Sequence, residues 1–256
     1  MDKSILKNWQ KIAINAAKEA GEEIIKVYNT GDFGIEAKAD DSPLTQADKK
    51  AHIVIVNHLK KTGIPILSEE GAEISYEERK NWEMFWMVDP LDGTKEFIKK
   101  NGEFTVNIAL INGSQPIMGV VYVPVKQIMY YALQEEGAYK IEGNDTVVSI
   151  KVSKNKDEKV RIVASRSHLN EETQAFINQY KDAELLSMGS SLKLMLVAEG
   201  KADLYPRFAP TMEWDTAAAH AVVLEAGGKV TQQPSGEAVI YNKENLLNPW
   251  FLVNGM

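Results

Sequence analysis

The segment from residue 85 to 97 constrains this chain more than any other. Its apolar opening, Phe85-Trp86-Met87-Val88, predicts a strand, which stops abruptly at Asp89-Pro90. Asp89-Pro90-Leu91-Asp92-Gly93-Thr94-Lys95-Glu96-Phe97 then delivers two aspartates, three positions apart, into a tight turn. Proline cannot extend an interior β-ladder, and glycine lets the backbone approach a ligand closely. The residues after Gly93 resemble the first turn of a helix, where free N–H groups suit a phosphate. One short segment thus offers hard oxygen ligands for a divalent cation beside an anion cradle. Oxygen-rich sites with positions open to water and phosphate suit Mg²⁺. Standing alone, such a segment is more often just an Asp-rich turn, because Asp and Gly both favour turns.

The rest of the chain supplies a frame for that turn. Residues 4–28 place Ile5, Trp9, Ile12, Ala16, Ala20 and Ile24 at spacings of three and four, an amphipathic helix. A polar loop follows, with Gly31, Gly34 and the run 38–43, and then a second helix over 46–61. Residues 64–67 predict a short strand running into Ser68-Glu69-Glu70-Gly71. From 104 to 133, apolar blocks alternate with the turn signals Asn112-Gly113, Pro116 and Pro124, which predicts an antiparallel meander. Beyond a Lys-rich stretch the pattern changes. Strand-like segments at 160–164 and 203–205 alternate with helices near 170–181, over 190–200 and over 215–226, the last closing on Gly227-Gly228. This predicts layered α and β structure: an N-terminal α+β half (1–155) and a C-terminal α/β half (156–256), with a site in the cleft between them. The charge runs 77–80 and 154–159 read as solvated surface.

Composition narrows the function classes. With 36 acidic and 29 basic residues among 256, the net charge is −7. That argues against a nucleic acid or an anionic membrane as main partner, but not against a small anion held by metals. There is no cysteine, so disulfides, zinc–thiolate sites and Cys nucleophiles are excluded together. The N-terminus lacks a continuous apolar core of signal-peptide type, and no apolar run reaches the roughly 18 residues of a spanning helix. A soluble, cytoplasmic protein with no transmembrane segment is expected.

Three further acidic elements sit at predicted element ends. Ser68-Glu69-Glu70 ends a strand, and its plain reading is a solvated loop. Glu213-Trp214-Asp215-Thr216-Ala217-Ala218 opens a helix, where Asp215 has a plain role as N-cap. Thr45-Gln46-Ala47-Asp48 also opens a helix, as a capping pair. Capping and metal ligation use different lone pairs, so both roles can hold. Glu69, Asp89, Asp92 and Asp215 gathered in one place would repel one another unless cations neutralised them. That convergence, more than any single motif, points to a metal site. The four histidines, His52, His58, His168 and His220, lie outside the acidic motifs. Trp214 and Ala217–Ala219 read as packing.

Together, D-P-L-D-G-T-K-E-F, W-D-T-A-A and S-E-E resemble the signature of the Mg²⁺-dependent, lithium-sensitive phosphatases of the inositol monophosphatase superfamily. S-P-L-T-Q-A-D at 42–48, the block from Asp89 to Ile111, and A-S-R-S-H at 164–168 are similar to its CysQ-type 3'(2'),5'-bisphosphate nucleotidase branch. The resemblance spans residues 5–255. It implies an α+β fold, the layered α/β/α/β/α sandwich of the inositol monophosphatase and fructose-1,6-bisphosphatase type. It implies two or three Mg²⁺ ions held by Glu69, Asp89, Asp92 and Asp215, with the Leu91 carbonyl as a backbone ligand. Thr94 and Asp48 would orient and deprotonate the attacking water, and Glu70 would help hold it. The Gly93 and Thr94 N–H groups would bind the scissile phosphate. Substrate would also meet Glu69, Leu91, Asp92 and Asp215, while His168, Ser190, Lys193 and Arg207 would contact the nucleoside and its 5'-phosphate. The plain alternatives are an N-cap for Ser190, a solvated lysine for Lys193 and a surface ion pair for Arg207.

Two metals about 3.5–4 Å apart activate a water, neutralise the phosphoryl oxygens and stabilise the leaving oxygen. The leading expectation is hydrolysis of 3'-phosphoadenosine 5'-phosphate to AMP and phosphate, extending to its sulfated precursor, in sulfur assimilation or nucleotide recycling. The alternatives are an inositol monophosphatase or broad sugar-phosphate phosphatase with the same centre, and a non-catalytic metal- or nucleotide-binding protein. A monomer is the expected state, with a dimer left open. Peripheral association with the inner face of the cell membrane is implied for some relatives, though no amphipathic anchor is visible.

Overall fold

The computed structural model describes residues 2–37, 43–71, 73–143, 145–153, 159–164 and 170–256. Two sheets organise them. The first has seven strands in chain order: β3 (Ile66–Ser68), β4 (Met84–Asp92), β5 (Thr105–Asn112), β6 (Gln115–Val123), β7 (Ile128–Leu133), β8 (Gly137–Glu142) and β9 (Thr146–Ile150). A two-stranded ribbon, β1 (Glu36–Ala37) with β2 (Pro43–Leu44), precedes it. β3 and β4 run parallel and the remaining pairs antiparallel, so the expected meander is present and continues two strands beyond Leu133. The second sheet is mixed, in the order β11 (Glu184–Ser187), β10 (Arg161–Ala164), β12 (Leu204–Arg207), β14 (Phe251–Asn254), β13 (Lys229–Gln232).

Side-chain alternation along the strands builds the layers. On β4, Trp86 and Val88 face a core with helices α1 (Lys3–Thr30) and α2 (Gln46–Leu59), while Phe85 and Met87 face the opposite way. That second core holds α6 (Leu192–Ala198) and α7 (Glu213–Glu225), together with Val163, Tyr205, Phe251 and Val253 of the second sheet. On that sheet's outer face, Ile162, Ala164 and Leu204 pack with Ile177 of α5 (Glu171–Ile177). The order is therefore helix, sheet, helix, sheet, helix. The middle core draws on both sheets, so the two halves of the chain share buried surface. β5 is buried at every residue but its last, because both sheet faces are covered, and its polar alternation is correspondingly weak.

Several elements differ from expectation. β4 does not stop at Asp89. Its pairing with β5 jumps from Asp89 opposite Asn107 to Asp92 opposite Thr105, leaving Pro90 and Leu91 to face Val106 alone. Proline fits such a bulge because its missing N–H breaks no ladder bond. The C-terminal helices α5 and α6 are shorter than 170–181 and 190–200, and α7 starts earlier than 215. Arg207 ends β12 rather than following it. The run 77–80 is not uniformly solvated: Arg79, closing α3 (Tyr76–Arg79), is buried. Most of the run 154–159 lies outside the described residues. Among the described residues, no helix is long and apolar enough to cross a membrane.

α7 lies directly on β6. A Cβ on Gly119 would stand 2.0 Å from the Ala218 carbonyl oxygen, and the Ala217–Ala219 run is buried at this contact. Backbone cannot yield as a flexible side chain would. Gly119→Ala is expected to destabilise the protein by at least about 2 kcal/mol, as overpacking does. Chemical denaturation checks this, and an unchanged midpoint would contradict the contact.

Candidate metal and phosphate site

Element ends bring the acidic residues together. Glu69 leaves β3 in the turn Ser68–Gly71, its N–H donating to Val88 O at 3.0 Å. Asp89 enters the bulge of β4, its Oδ1 accepting from Leu91 N at 3.0 Å. Asp215 sits at the third position of α7, not at the cap. Its Oδ2 reaches back to accept from Met212 N at 2.9 Å, in a capping arrangement. Glu69, Asp89 and Asp215 each place a carboxylate oxygen within 4.8 Å of the others.

Asp89 is 1% exposed. Burial raises its pKa well above the ordinary carboxylate value, and the negative charges of Glu69, Asp92 and Asp215 raise it further. Burial likewise raises Asp215, followed by repulsion from Asp92 and Glu69. This is an all-oxygen donor set under strong mutual repulsion, which suits a hard divalent cation. The residues present therefore fit the metal that the sequence implies.

Asp92 stands beside the trio. Its Oδ2 accepts from Ser190 Oγ and Ser191 N, both at 2.6 Å, with Thr105 Oγ1 at 3.5 Å. Ser190 is thus not the N-cap of α6; Ser191 precedes that helix. Ser190 occupies the left-handed region (φ 54°), unusual for a residue with a side chain, and its hydroxyl also lies 2.7 Å from Thr105 Oγ1. Thr105, Asn107 and Ser191 complete this hydroxyl network. Thr105 and Asn107 went unmarked in the sequence, although they are two polar residues on one face of an otherwise apolar strand.

Beyond Asp92, β4 passes through Gly93 (φ 90°) into the short helix α4 (Thr94–Ile98). A Cβ there would lie 3.2 Å from both Glu103 O and Ser190 Cβ, so position 93 requires glycine for both reasons. Thr94 Oγ1 is 3.4 Å from Asp48 Oδ1 and 3.3 Å from Leu91 O. Asp48 is buried. Its Oδ2 accepts from Thr45 N at 2.8 Å and Thr45 Oγ1 at 2.5 Å, closing the capping box of α2. Capping engages Oδ2 and leaves Oδ1 on the Thr94 side. Glu70 follows Glu69 in the turn, half-buried, and its charge acts on His52.

A cavity of about 140 Å³ opens next to these groups, lined by Asp92, Gly93, Ser190, Lys193, Arg207 and Asp215 among others. Lys193 is not a solvated helix lysine. It is buried, its Nζ donates to Ser190 O at 2.7 Å, and it lies 5.6 Å from the Tyr205 ring centroid. Burial lowers its pKa to about 8. Arg207 donates from Nη2 to Pro210 O at 2.9 Å, while its buried Nε has no hydrogen-bond partner among the described residues. His168 lies outside the described residues. Trp214 and Ala217–Ala219 pack as expected.

The chain matches the model of the inositol monophosphatase family over residues 5–250. It is 46% identical over 243 residues to the 3'(2'),5'-bisphosphate nucleotidase CysQ of Shigella flexneri, covering 93% of this chain and 96% of the relative. The CysQ of Escherichia coli (strain K12) matches to the same extent. The crystal structure of CysQ from Bacteroides thetaiotaomicron, a bacterial member of the inositol monophosphatase family, aligns with a TM-score of 0.88 and 49% identity over 97% of each chain. The IMPase of Thermotoga maritima aligns with a TM-score of 0.79 at 25% identity, covering 97% of this chain and 92% of that one. On the length and strength of these matches, together with a layered fold that carries the acidic cluster at its element ends, this chain belongs to the inositol monophosphatase family.

Proposed function

We propose that this chain is an Mg²⁺-dependent phosphomonoesterase that removes the 3'-phosphate of 3'-phosphoadenosine 5'-phosphate, leaving AMP. The observation that carries the reading is the cavity: Asp215 of the carboxylate cluster and its neighbour Asp92 line it, and so do Lys193 and Arg207. A substrate with one phosphate on the metals has a second anionic group for those cations to meet. An inositol monophosphate has none. The names of the CysQ relatives support the same substrate class.

Glu69, Asp89, Asp92 and Asp215 would hold the ions, with Leu91 contributing its carbonyl. Bound there, Mg²⁺ supplies charge neutralisation for the phosphoryl group and lowers the pKa of water. Gly93 and Thr94 direct backbone N–H groups at the phosphoryl oxygens. Thr94 Oγ1 orients the attacking water, and its proton passes toward Asp48 Oδ1. The 3.4 Å separation of that pair suits a contact that tightens when substrate binds. Glu70 steadies the water from the turn. Ser190 holds Asp92 in place, while Lys193 and Arg207, with His168, meet the nucleoside and its 5'-phosphate. We place the domain boundary near residue 155, so that Asp215 and the nucleotide contacts come from the second domain.

Three outcomes test this reading. Purified protein with Mg²⁺ releases phosphate from 3'-phosphoadenosine 5'-phosphate; silence on that nucleotide with brisk release from inositol 1-phosphate overturns the substrate. Asp92→Asn lowers kcat/KM on any accepted substrate by at least about 100-fold, the scale of disturbing a metal site. Arg207→Ala costs about 1.5–3 kcal/mol on bisphosphorylated nucleotides alone, the worth of a charged hydrogen bond; an equal loss on inositol 1-phosphate counts against the 5'-phosphate contact.

Stability should follow pH in a definite sense. The raised pKa values mean that Asp89 and Asp215 bind protons more tightly folded than unfolded. Their contribution is complete below the ordinary carboxylate range, about pH 4, and is lost as pH rises through the raised values. Metal competes with those protons. The gain in Tm on adding Mg²⁺ is therefore expected to be larger at about pH 8 than at about pH 5. An equal gain at both, read by thermal scanning, would contradict the role of these carboxylates.

A further inference from the structure

The segment from Asn242 to Asn248 is fastened on two sides. On one side is Arg79, 2% exposed, in the short helix that follows the Glu69–Glu70 turn. Its Nη1 donates to Asn242 Oδ1 at 2.9 Å and to Lys243 O at 2.7 Å, and its Nη2 to Glu244 O at 2.8 Å. Asn242 Nδ2 donates back to Arg79 O at 2.9 Å. On the other side is Glu213, fully buried at the first position of α7, two residues before Asp215. Its carboxylate accepts from Asn242 N at 2.6 Å and Lys243 N at 3.1 Å, and pairs with the Lys243 ammonium. Further along, Glu213 N donates to Leu246 O at 2.9 Å, and Asn248 Nδ2 donates to Met212 O at 2.7 Å and Thr216 Oγ1 at 3.1 Å.

The first turn of α7 is thereby bolted, through Asn242 and Lys243, to the short helix α3 that follows the Glu69–Glu70 turn in the chain. We propose that Arg79, Asn242 and Glu213 form a positioning clamp that sets Asp215 against Glu69 and Asp89, and so sets the affinity of the cation site. The clamp rests on the reading of Asp215 as a metal ligand. A buried ion pair is weak evidence for stability, because desolvation offsets much of the attraction. Rigid orientation is what such a network does supply, and partners behind metal ligands govern affinity in this way. None of the three clamp residues needs to touch substrate.

Calorimetric titration of the full-length protein with Mg²⁺ tests the clamp without relying on turnover. Arg79→Met keeps the length and apolar stem of the side chain but removes its donors. It is expected to weaken Mg²⁺ binding by about 10–100-fold, with Arg79→Lys recovering part of the loss. At saturating Mg²⁺ the KM for the nucleotide stays at the wild-type value, which a general loosening of the fold would not allow. Asn242→Gly is the second variant. It tolerates the left-handed backbone (φ 66°) and removes both side-chain bonds to Arg79 while leaving the Asn242 N–H on Glu213. It is expected to weaken binding severalfold, and it decides the matter if Arg79→Met fails to fold. Wild-type Mg²⁺ affinity in a folded clamp variant, beside weakened binding in Asp215→Asn, overturns the clamp. Wild-type affinity in Asp215→Asn itself overturns the assignment of Asp215 instead.

Discussion

The rest of the structure depends on the crowding of negative charge around Asp89. A carboxylate almost wholly removed from water, with three other acids acting on it, is costly to ionise. The folded chain tolerates this because the acids are delivered by three separate rigid elements. β3 ends at the Glu69 turn, β4 carries Asp89 and Asp92 across a bulge, and α7 contributes Asp215 from its first turn. Packing of α7 on β6, where Gly119 and the alanine run allow close approach, brings the last of these to the first sheet. On the proposed reading a dication would resolve the repulsion, and folding and metal binding would then be thermodynamically linked at this point.

The same turns serve two purposes at once. Asp48 caps α2 with one oxygen and faces Thr94 with the other. Asp215 caps α7 while standing in the carboxylate trio. Ser190 accepts an unfavourable backbone conformation and in return grips Asp92. For Asp48 and Asp215, such double use lets the capping role stand beside the role proposed for each at the site. A capping carboxylate has lone pairs to spare, and capping fixes the direction in which they point.

Much of this was legible in the sequence because it is local. The period of three and four in α1, the turn signals of the meander and the Thr45–Asp48 box depend on neighbours in the chain. Asp89, Asp92 and Gly93 could be recognised because a strand, a proline and a glycine frame them. What escaped depends on distant partners. Arg79 sits in a polar run that looks solvated, and its buried guanidinium meets the distant Asn242, Lys243 and Glu244. Thr105, Ser191 and the orientation of Lys193 are set by the meeting of β5 with the loop before α6. The proline at position 90 suggested a strand end, since a bulge differs from a stop only through its partner strand. Short edge strands such as β9 and β11 are stabilised by pairing rather than by their own pattern.

The central claim is that acids far apart in the chain grip shared dications beside a phosphate cradle. Crystals grown with Mn²⁺ in place of Mg²⁺, together with the nucleotide product, test it most directly through anomalous scattering. The account predicts at least one anomalous peak at about 2.1 Å from oxygens of Glu69, Asp89 and Asp215, the distance of a hard cation from its ligands. Peaks confined to other faces of the molecule, with these three carboxylates bare, would contradict it.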